Sequence, residues 1–448
     1  MPQEPEQPAD PARVPSGTGQ PVPPAPGGSR HAEDALEPVE LIRQSGAVLR
    51  MGKAMLSSGT GSYRVKTAME QVARAFGLDR HEAHVTLTEI TATSHRGPIF
   101  RTEVAEVRTV GVNANRLGEL THLANRLQPG ATVDEVNREL DRIEALGPLY
   151  PALANALFAA VACGAFAYLN NGGPVEVVGV FIAAGLGQLV RRAMLHRKLN
   201  QFGAAMVAAA VACFAYLGFV AALDVAAGAG SSHEAGFISA VLFLVPGFPL
   251  VTGALDLAKL DFSAGVARIT YAMLILLSAA ISVWAVTWVT GLDTGAVPPP
   301  DAPFWLQLSL RTLASALGVL GFALMFNSPV RMALGATAIG AVANVLRLEL
   351  ADLGVAMQAA TMLATLVVGL LAAWVAPALK VPRITVSVPA VVIMVPGAAV
   401  YRAVVGLNNG DVDAAVTSGV QAVFVVVSIA IGLAVGRVLT DRAWAFER

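Results

Sequence analysis

Two short runs place helix-breaking residues inside apolar sequence: FLVPGFPLVTG at 243–253 and IMVPGAAVYRA at 393–403. Proline in a helix interior removes a backbone donor and clashes with the preceding turn, at about 3 kcal/mol. Backbone groups freed at membrane depth are tolerated where they are buried in protein or line a cavity, and there they can coordinate a polar solute. The candidates to touch such a solute are Pro246, Gly247, Pro249 and Thr252 in the first run, and Pro396, Gly397, Tyr401 and Arg402 in the second. Charged neighbours are candidates for coupling or gating: Asp256, Lys259 and Asp261, about three turns past the first break, and Arg311 inside LQLSLRTLASAL. Each charge at the bilayer centre would cost about 2.5–3.5 kcal/mol on insertion scales. Asp256, Lys259 and Asp261 therefore read either as a surface salt-bridge cluster or as a gate with a proton-linked carboxylate. Arg402 either holds a substrate carboxylate or snorkels to headgroups, and Arg311 needs a partner or a water-filled cavity.

Covalent chemistry is poorly supplied. Ser57, Ser58, Thr60, Ser62, Tyr63 and Arg64 cluster at a helix junction, but a serine nucleophile needs an adjacent base. His81, His84, His95 and His122 are candidates by residue type alone, and no G-x-S-x-G elbow occurs. His81-x-x-His84 has two metal-ligand types with no third nearby. The chain reads as a non-enzyme with no cofactor. Cys163 and Cys213 lie inside apolar segments and read as buried hydrophobes.

The elements that must position these residues follow from composition. The 448 residues are 55% hydrophobic and 14% charged, against roughly 25% charged in soluble domains. A membrane protein follows, and the net charge of −1 offers nothing to nucleic acid. Residues 1–35 are rich in Pro, Gly and polar groups, which predicts a disordered tail with no secretory signal. Residues 36–148 have ordinary charge density and predict a small α+β domain. A first helix ends at Gly59, a second starts at Ser62 as N-cap and stops at Gly77, and HVTLTEITATS and PIFRTEVAEVRTV form paired strands around SHRG. The last helix, TVDEVNRELDRIEAL, opens with a Thr132/Glu135 capping box and carries Val133, Val136, Leu140 and Ile143 on one face.

From Leu149 onward ten apolar segments are long enough to span a bilayer, near 150–169, 174–190, 203–222, 235–255, 267–290, 305–326, 331–347, 355–376, 385–405 and 414–437. Asn155, Gln188, Asn344 and Gln358 are polar points within them, suited to helix–helix hydrogen bonds. Arg191, Arg192, Arg197, Lys198, Lys259, Arg268, Arg331, Lys380, Arg383 and Arg437 fall on one side. The opposite loops NNGGP, DVAAGAGSSHEAG and GLDTGAVPPPDAP carry no Lys or Arg, and only Arg347 and Arg402 fall on that side, both close to span ends. The positive-inside rule puts both termini and the 36–148 domain in the cytoplasm, at the cell membrane.

Residues 241–268 align without a gap on 391–418. Val241, Val245, Pro246, Gly247, Leu257, Asp261, Ala264 and Val266 meet identical residues at Val391, Val395, Pro396, Gly397, Leu407, Asp411, Ala414 and Val416. Five spans per half is an odd number, so the halves, 149–290 and 291–448, enter the membrane from opposite sides. Inverted repeats with discontinuous helices at mid-membrane are a signature of secondary transporters.

These stretches also resemble a known family. LRMGKAMLSSGTGSYRVKTAMEQVARAFGL (49–78), FRTEVAEVRTVGVNANRLGELTHLANRL (100–127), VPGFPLVTGALDLAKLDFSAGVARI (245–269) and VPAVVIMVPGAAVYRAV (388–404) are similar, in order, to motifs of the threonine/serine exporter family. The resemblance implies ten spans, a cytoplasmic N-terminal domain and proton-motive-force-linked export of small amino acids. Split two-subunit relatives are linked to succinate export, so dicarboxylates are the alternative cargo. The expected partners are a threonine- or serine-like solute, protons and the lipid bilayer; a homo-oligomer is compatible with the sequence. A membrane-anchored enzyme or sensor working through residues 36–148 is the competing class.

Overall fold

The computed structural model describes residues 39–108, 111–227, 234–291 and 302–445; the Pro-rich tail expected over 1–35 lies outside them. The N-terminal α+β region begins with α1 (Val39–Ser57), α2 (Ser62–Ala75) and strands β1 (Arg80–Val85), β2 (Glu89–Arg96) and β3 (Ile99–Glu106). Helices α3 (Ala114–Arg126) and α4 (Val133–Glu144) complete it. The strands form one antiparallel sheet in the order β1-β2-β3. Two strands were expected where three occur. The extra turn is hidden in HVTLTEITATS, where the Thr86 hydroxyl accepts from the N–H groups of Thr88 and Glu89 and reverses the chain. The expected cap at Thr132 forms, its hydroxyl accepting from Glu135 N–H at 3.2 Å, and Val133, Val136, Leu140 and Ile143 are buried together.

The rest is helical. Among the described residues eight helices are long and apolar enough to cross a membrane: α5 (Ala152–Leu169), α6 (Pro174–His196), α7 (Gln201–Ala227), α10 (Phe262–Thr290), α11 (Phe304–Met325), α12 (Val330–Asp352), α13 (Met357–Leu379) and α16 (Val412–Val438). Two bent helix pairs also pass together and bring the candidates to ten if each crosses as one span. The first runs through α8 (Glu234–Ser239) and a 3₁₀ turn (Leu242–Leu244) into α9 (Gly247–Ala258), with a bend of 63°. The second joins α14 (Arg383–Val392) to α15 (Gly397–Asn408) with a bend of 44°. A short α17 (Arg442–Ala445) follows α16. Trp288, Trp305 and Trp374 are among the most exposed large side chains and sit near helix ends, as interfacial aromatics do. The ten expected segments thus coincide, among the described residues, with eight candidate spans and two bent pairs.

Packing in the two halves follows one plan. Helix α5 packs on α6, α6 on α7, α7 on α10 and α9 on α10; α11 packs on α12, α12 on α13, α13 on α16 and α15 on α16. Across the halves α10 meets α15 and α16 meets α9. Helices α5 and α11 pair antiparallel. Asn155 near the start of α5 donates to Met325 O at the end of α11, while Leu169 and Gln307 line one cavity at the other end.

Candidate functional site

The breaks repeat each other in detail. Pro246 has φ −80° and ψ 59°, and Pro396 has φ −81° and ψ 51°. Gly247 N–H turns back to Val245 O at 2.8 Å, and Gly397 N–H to Val395 O at 2.8 Å. Each proline therefore stands just outside a new helix, where its missing N–H costs nothing, and Pro249 falls in the first turn of α9, where proline is tolerated.

The two breaks touch. A Cβ on Gly247 would lie 3.1 Å from both methyls of Val392, and one on Gly397 would lie 2.5 Å from Val245 Cγ2 and 3.0 Å from Leu242 Cδ2. Residues 242 and 392 correspond under the 150-residue offset, so these are one contact made twice. The missing side chain at each glycine lets the side chains of one break pack against the backbone of the other, most tightly at Gly397.

Beside the first break lies a cavity of about 220 Å³. Val245, Pro246, Phe248 and Pro249 form one side, and Gln188, Arg191, Gln201, Arg268 and Tyr271 supply polar groups. Arg268 is 2% exposed, and its Nη2 has no hydrogen-bond partner among the described residues. Gln188 donates to Asn155 Oδ1 at 2.8 Å, which leaves its Oε1 as an unpartnered buried acceptor. The Tyr271 hydroxyl donates to Gln201 Oε1. The N-terminal region adds Leu56, Gly59, Leu87, Gly111 and Val112 to the wall, and Met325 and Phe326 at the end of α11 close it from the second half.

Asp256 is 2% exposed, so it is no surface group. Its Oδ1 accepts from Ser62 N–H at 3.0 Å and from the Ser62 hydroxyl at 3.2 Å. Its Oδ2 lies 3.0 Å from Arg268 Nε, at ion-pair distance though out of line for a hydrogen bond. Asp261 accepts from the Ser62 hydroxyl at 2.7 Å and pairs with Lys66. Ser62 was expected to cap α2; Gly61 holds that position, and the Ser62 hydroxyl is drawn away by two carboxylates at the helix N-terminus. A Cβ on Gly61 would sit 2.7 Å from Asp256 Oδ1, so that approach needs a glycine. Lys259 Nζ lies 5.4 Å from the Tyr63 ring centre and 4.6 Å from that of Trp444.

The structure brings Pro246 and Pro249 to the cavity and gathers Asp256, Lys259 and Asp261 against α2. Gly247, Pro396 and Gly397 form the crossing. The Thr252 hydroxyl is spent on Phe248 O at 2.9 Å. Tyr401 is fully buried, and its hydroxyl and Arg402 Nε have no partner among the described residues. Arg311 stands apart, its Nη1 on Glu349 at 2.9 Å and Asp352 at 2.5 Å. Asn155 and Asn344 make the helix–helix bonds expected of them, Asn344 donating to Ser315 at 2.8 Å. Sequence reasoning used Arg191 and Arg268 for orientation and missed them as cavity groups. The signal was Arg268, about two turns inside a long apolar helix with Asp256 in the segment before it.

Some other polar groups of the N-terminal region have structural partners, whereas the buried Thr60 hydroxyl has none among the described residues. The Ser57 and Ser58 hydroxyls donate to Ala54 O. His81 and His84 sit three apart on a strand, which points them to opposite faces and gives no shared metal geometry. His81 Nδ1 lies 3.0 Å from Ser94 Oγ, and burial holds its imidazole below the usual range.

Comparison with known proteins adds to this geometry. The profile of the family described as "Putative threonine/serine exporter" matches residues 47–290, and that of "Threonine/Serine exporter, ThrE" matches 311–439. A "Probable threonine/serine exporter" of Mycobacterium tuberculosis is 26% identical over 88% of this chain and 75% of its own length. A "Probable succinate transporter subunit YjjP" of Escherichia coli is 28% identical over 54% of this chain and 93% of its own length. A "Threonine/serine exporter" of Corynebacterium glutamicum is 32% identical over 30% of this chain and 28% of its own length. No solved structure gives a significant match.

Proposed function

Since the chain belongs to the threonine/serine exporter family, a multi-pass transporter family, we propose that it is a secondary active exporter of threonine, serine and similar small polar solutes, driven by the proton motive force. Its ten spans are two inverted five-helix repeats, 149–290 and 291–448, that alternate access around the two breaks. The reciprocal Gly247–Val392 and Gly397–Leu242 contacts and the antiparallel α5–α11 pair support that symmetry. In this reading both termini and the 36–148 domain face the cytoplasm, which the distribution of Lys and Arg among the loops supports.

One observation carries the substrate class: beside Pro246, Arg268 Nη2 and Gln188 Oε1 have no partner among the described residues and offer both polarities, and Arg191 adds a second guanidinium to the cavity. Arg268 Nη2 and Arg191 suit a carboxylate, and Gln188 Oε1 suits an ammonium. The start of α9 adds the positive end of a helix dipole. Asp256 takes the proton-linked role. While ionised it occupies Arg268; once protonated it frees the guanidinium for substrate. Lys259 and Asp261 gate the cytoplasmic side, Arg311 the opposite side, and Thr252, Tyr401 and Arg402 line the path through the breaks.

Two arginines at one cavity also suit a dicarboxylate, which favours succinate as the second reading. Efflux from proteoliposomes holding labelled serine and succinate together, with and without an imposed proton gradient, decides between them. Serine efflux that rises with the gradient is expected; a clear succinate preference overturns the substrate assignment.

A further inference from the structure

We propose that the α+β domain is a moving wall of the transport cavity, anchored to the second repeat and latched to the first through Ser62 and Lys66; this rests on the transporter reading above. The anchor is made largely of backbone groups. Ala114 N–H donates to Phe326 O at 3.0 Å and Asn115 N–H to Asn327 O at 3.2 Å, so the start of α3 caps the end of α11. Asn327 Nδ2 donates to Asn113 Oδ1 at 2.8 Å, and His122 Nε2 lies 2.6 Å from Lys380 O. Met332 packs so closely on Gly118 that a Cβ there would lie 2.7 Å from its Cε. All these partners belong to the second repeat.

Apart from Ser263 Oγ, 3.5 Å from His84 Nε2, the polar contacts to the first repeat centre on charged groups. Ser62 and Lys66 hold Asp256 and Asp261, and Lys259 stacks between Tyr63 and Trp444. These contacts depend on charge, and they can break when a carboxylate is protonated or a rival ion arrives. Between anchor and latch, Leu56, Gly59, Gly111 and Val112 close the cavity. If one repeat rocks against the other, the domain travels with the second, and its wall leaves the cavity once the latch parts.

The latch also reaches the ligand groups. Ser62 is a positioning residue: it fixes Asp256, whose other oxygen faces Arg268 at the cavity. A carboxylate that captures Arg268 competes with Asp256 and loosens the latch from inside. The device is one-sided, because the residues 150 positions after Asp256 and Arg268 are Gly406 and Ser418.

The test needs no substrate. Val245→Cys, in a buried position lining the cavity, is labelled with a membrane-impermeant maleimide in vesicles that expose the α+β domain. Adding Ser62→Ala and Lys66→Ala removes bonds to charged groups and should speed labelling about tenfold or more. An unchanged rate overturns the proposal. Should that variant fail to fold, Lys66→Cys with Asp261→Cys is bridged by a reducible bifunctional thiol reagent. Bridging should stop transport of whatever solute the unbridged protein moves, and reduction should restore it; full transport while bridged also overturns the proposal. If neither serine nor succinate moves in any form, the exporter reading fails and the labelling result still judges the latch.

Discussion

Gly397→Ala probes the crossing of the two breaks. The new methyl would lie 2.5 Å from Val245 Cγ2 and 3.0 Å from Leu242 Cδ2. Carbon atoms rest at about 3.5–4.0 Å, so the first contact is short by about 1 Å. Val245 is β-branched and stiff at χ1, and it sits in a buried break segment, so rotation offers little relief. Overpacking of this kind costs about 1–3 kcal/mol, and the upper half of that range is expected. Gly247→Ala, whose methyl would meet Val392 at 3.1 Å, should fall in the lower half. The assay is thermal unfolding of the purified protein, paired with efflux after reconstitution. Adding Val245→Ala to Gly397→Ala removes the clashing methyl and should recover much of the loss; added to Gly247→Ala it should not. A double-mutant cycle reads that difference as a coupling energy of about 1–3 kcal/mol. Wild-type melting and efflux in Gly397→Ala, or no rescue by Val245→Ala, would refute the reciprocal crossing.

Three further outcomes are expected. Arg268→Gln made together with Asp256→Asn, which avoids leaving a buried carboxylate unpaired, should raise KM for threonine about tenfold or more and flatten the proton dependence of efflux; concentration series at two imposed gradients check it. Arg311→Gln removes the ion pairs to Glu349 and Asp352 far from the cavity, so efflux should slow with KM unchanged, which initial rates against substrate concentration measure. Thr132→Ala deletes the cap of α4 and should destabilise the N-terminal region by about 1 kcal/mol, read as a lower melting temperature with efflux intact.

Much of this arrangement is legible in the residue order, for reasons that differ by element. Long apolar runs have one solution in a bilayer, so the span positions follow directly, although α6 and α12 continue past their apolar cores to His196 and Asp352. The breaks are visible because Pro-Gly is costly inside a helix, and their pairing is visible because the segment occurs twice. What pattern cannot supply is distance across the fold. Nothing local to SSGTGS says that Asp256, 194 residues later, will dock on Ser62, so a capping role was the natural expectation. The depth of Arg268 in an apolar helix flags a buried charge, but nothing local says that it faces Asp256 and the cavity. The third strand was missed because Thr86-Leu87-Thr88 carries no Gly, Pro, Asn or Asp to mark its turn.

Threonine efflux from preloaded vesicles by Pro246→Ala with Pro396→Ala tests the central claim most directly. If the paired breaks form the transport site, straightening both helices should collapse efflux while the protein remains in the membrane at its normal level. Efflux at the wild-type rate from that double variant would contradict the account.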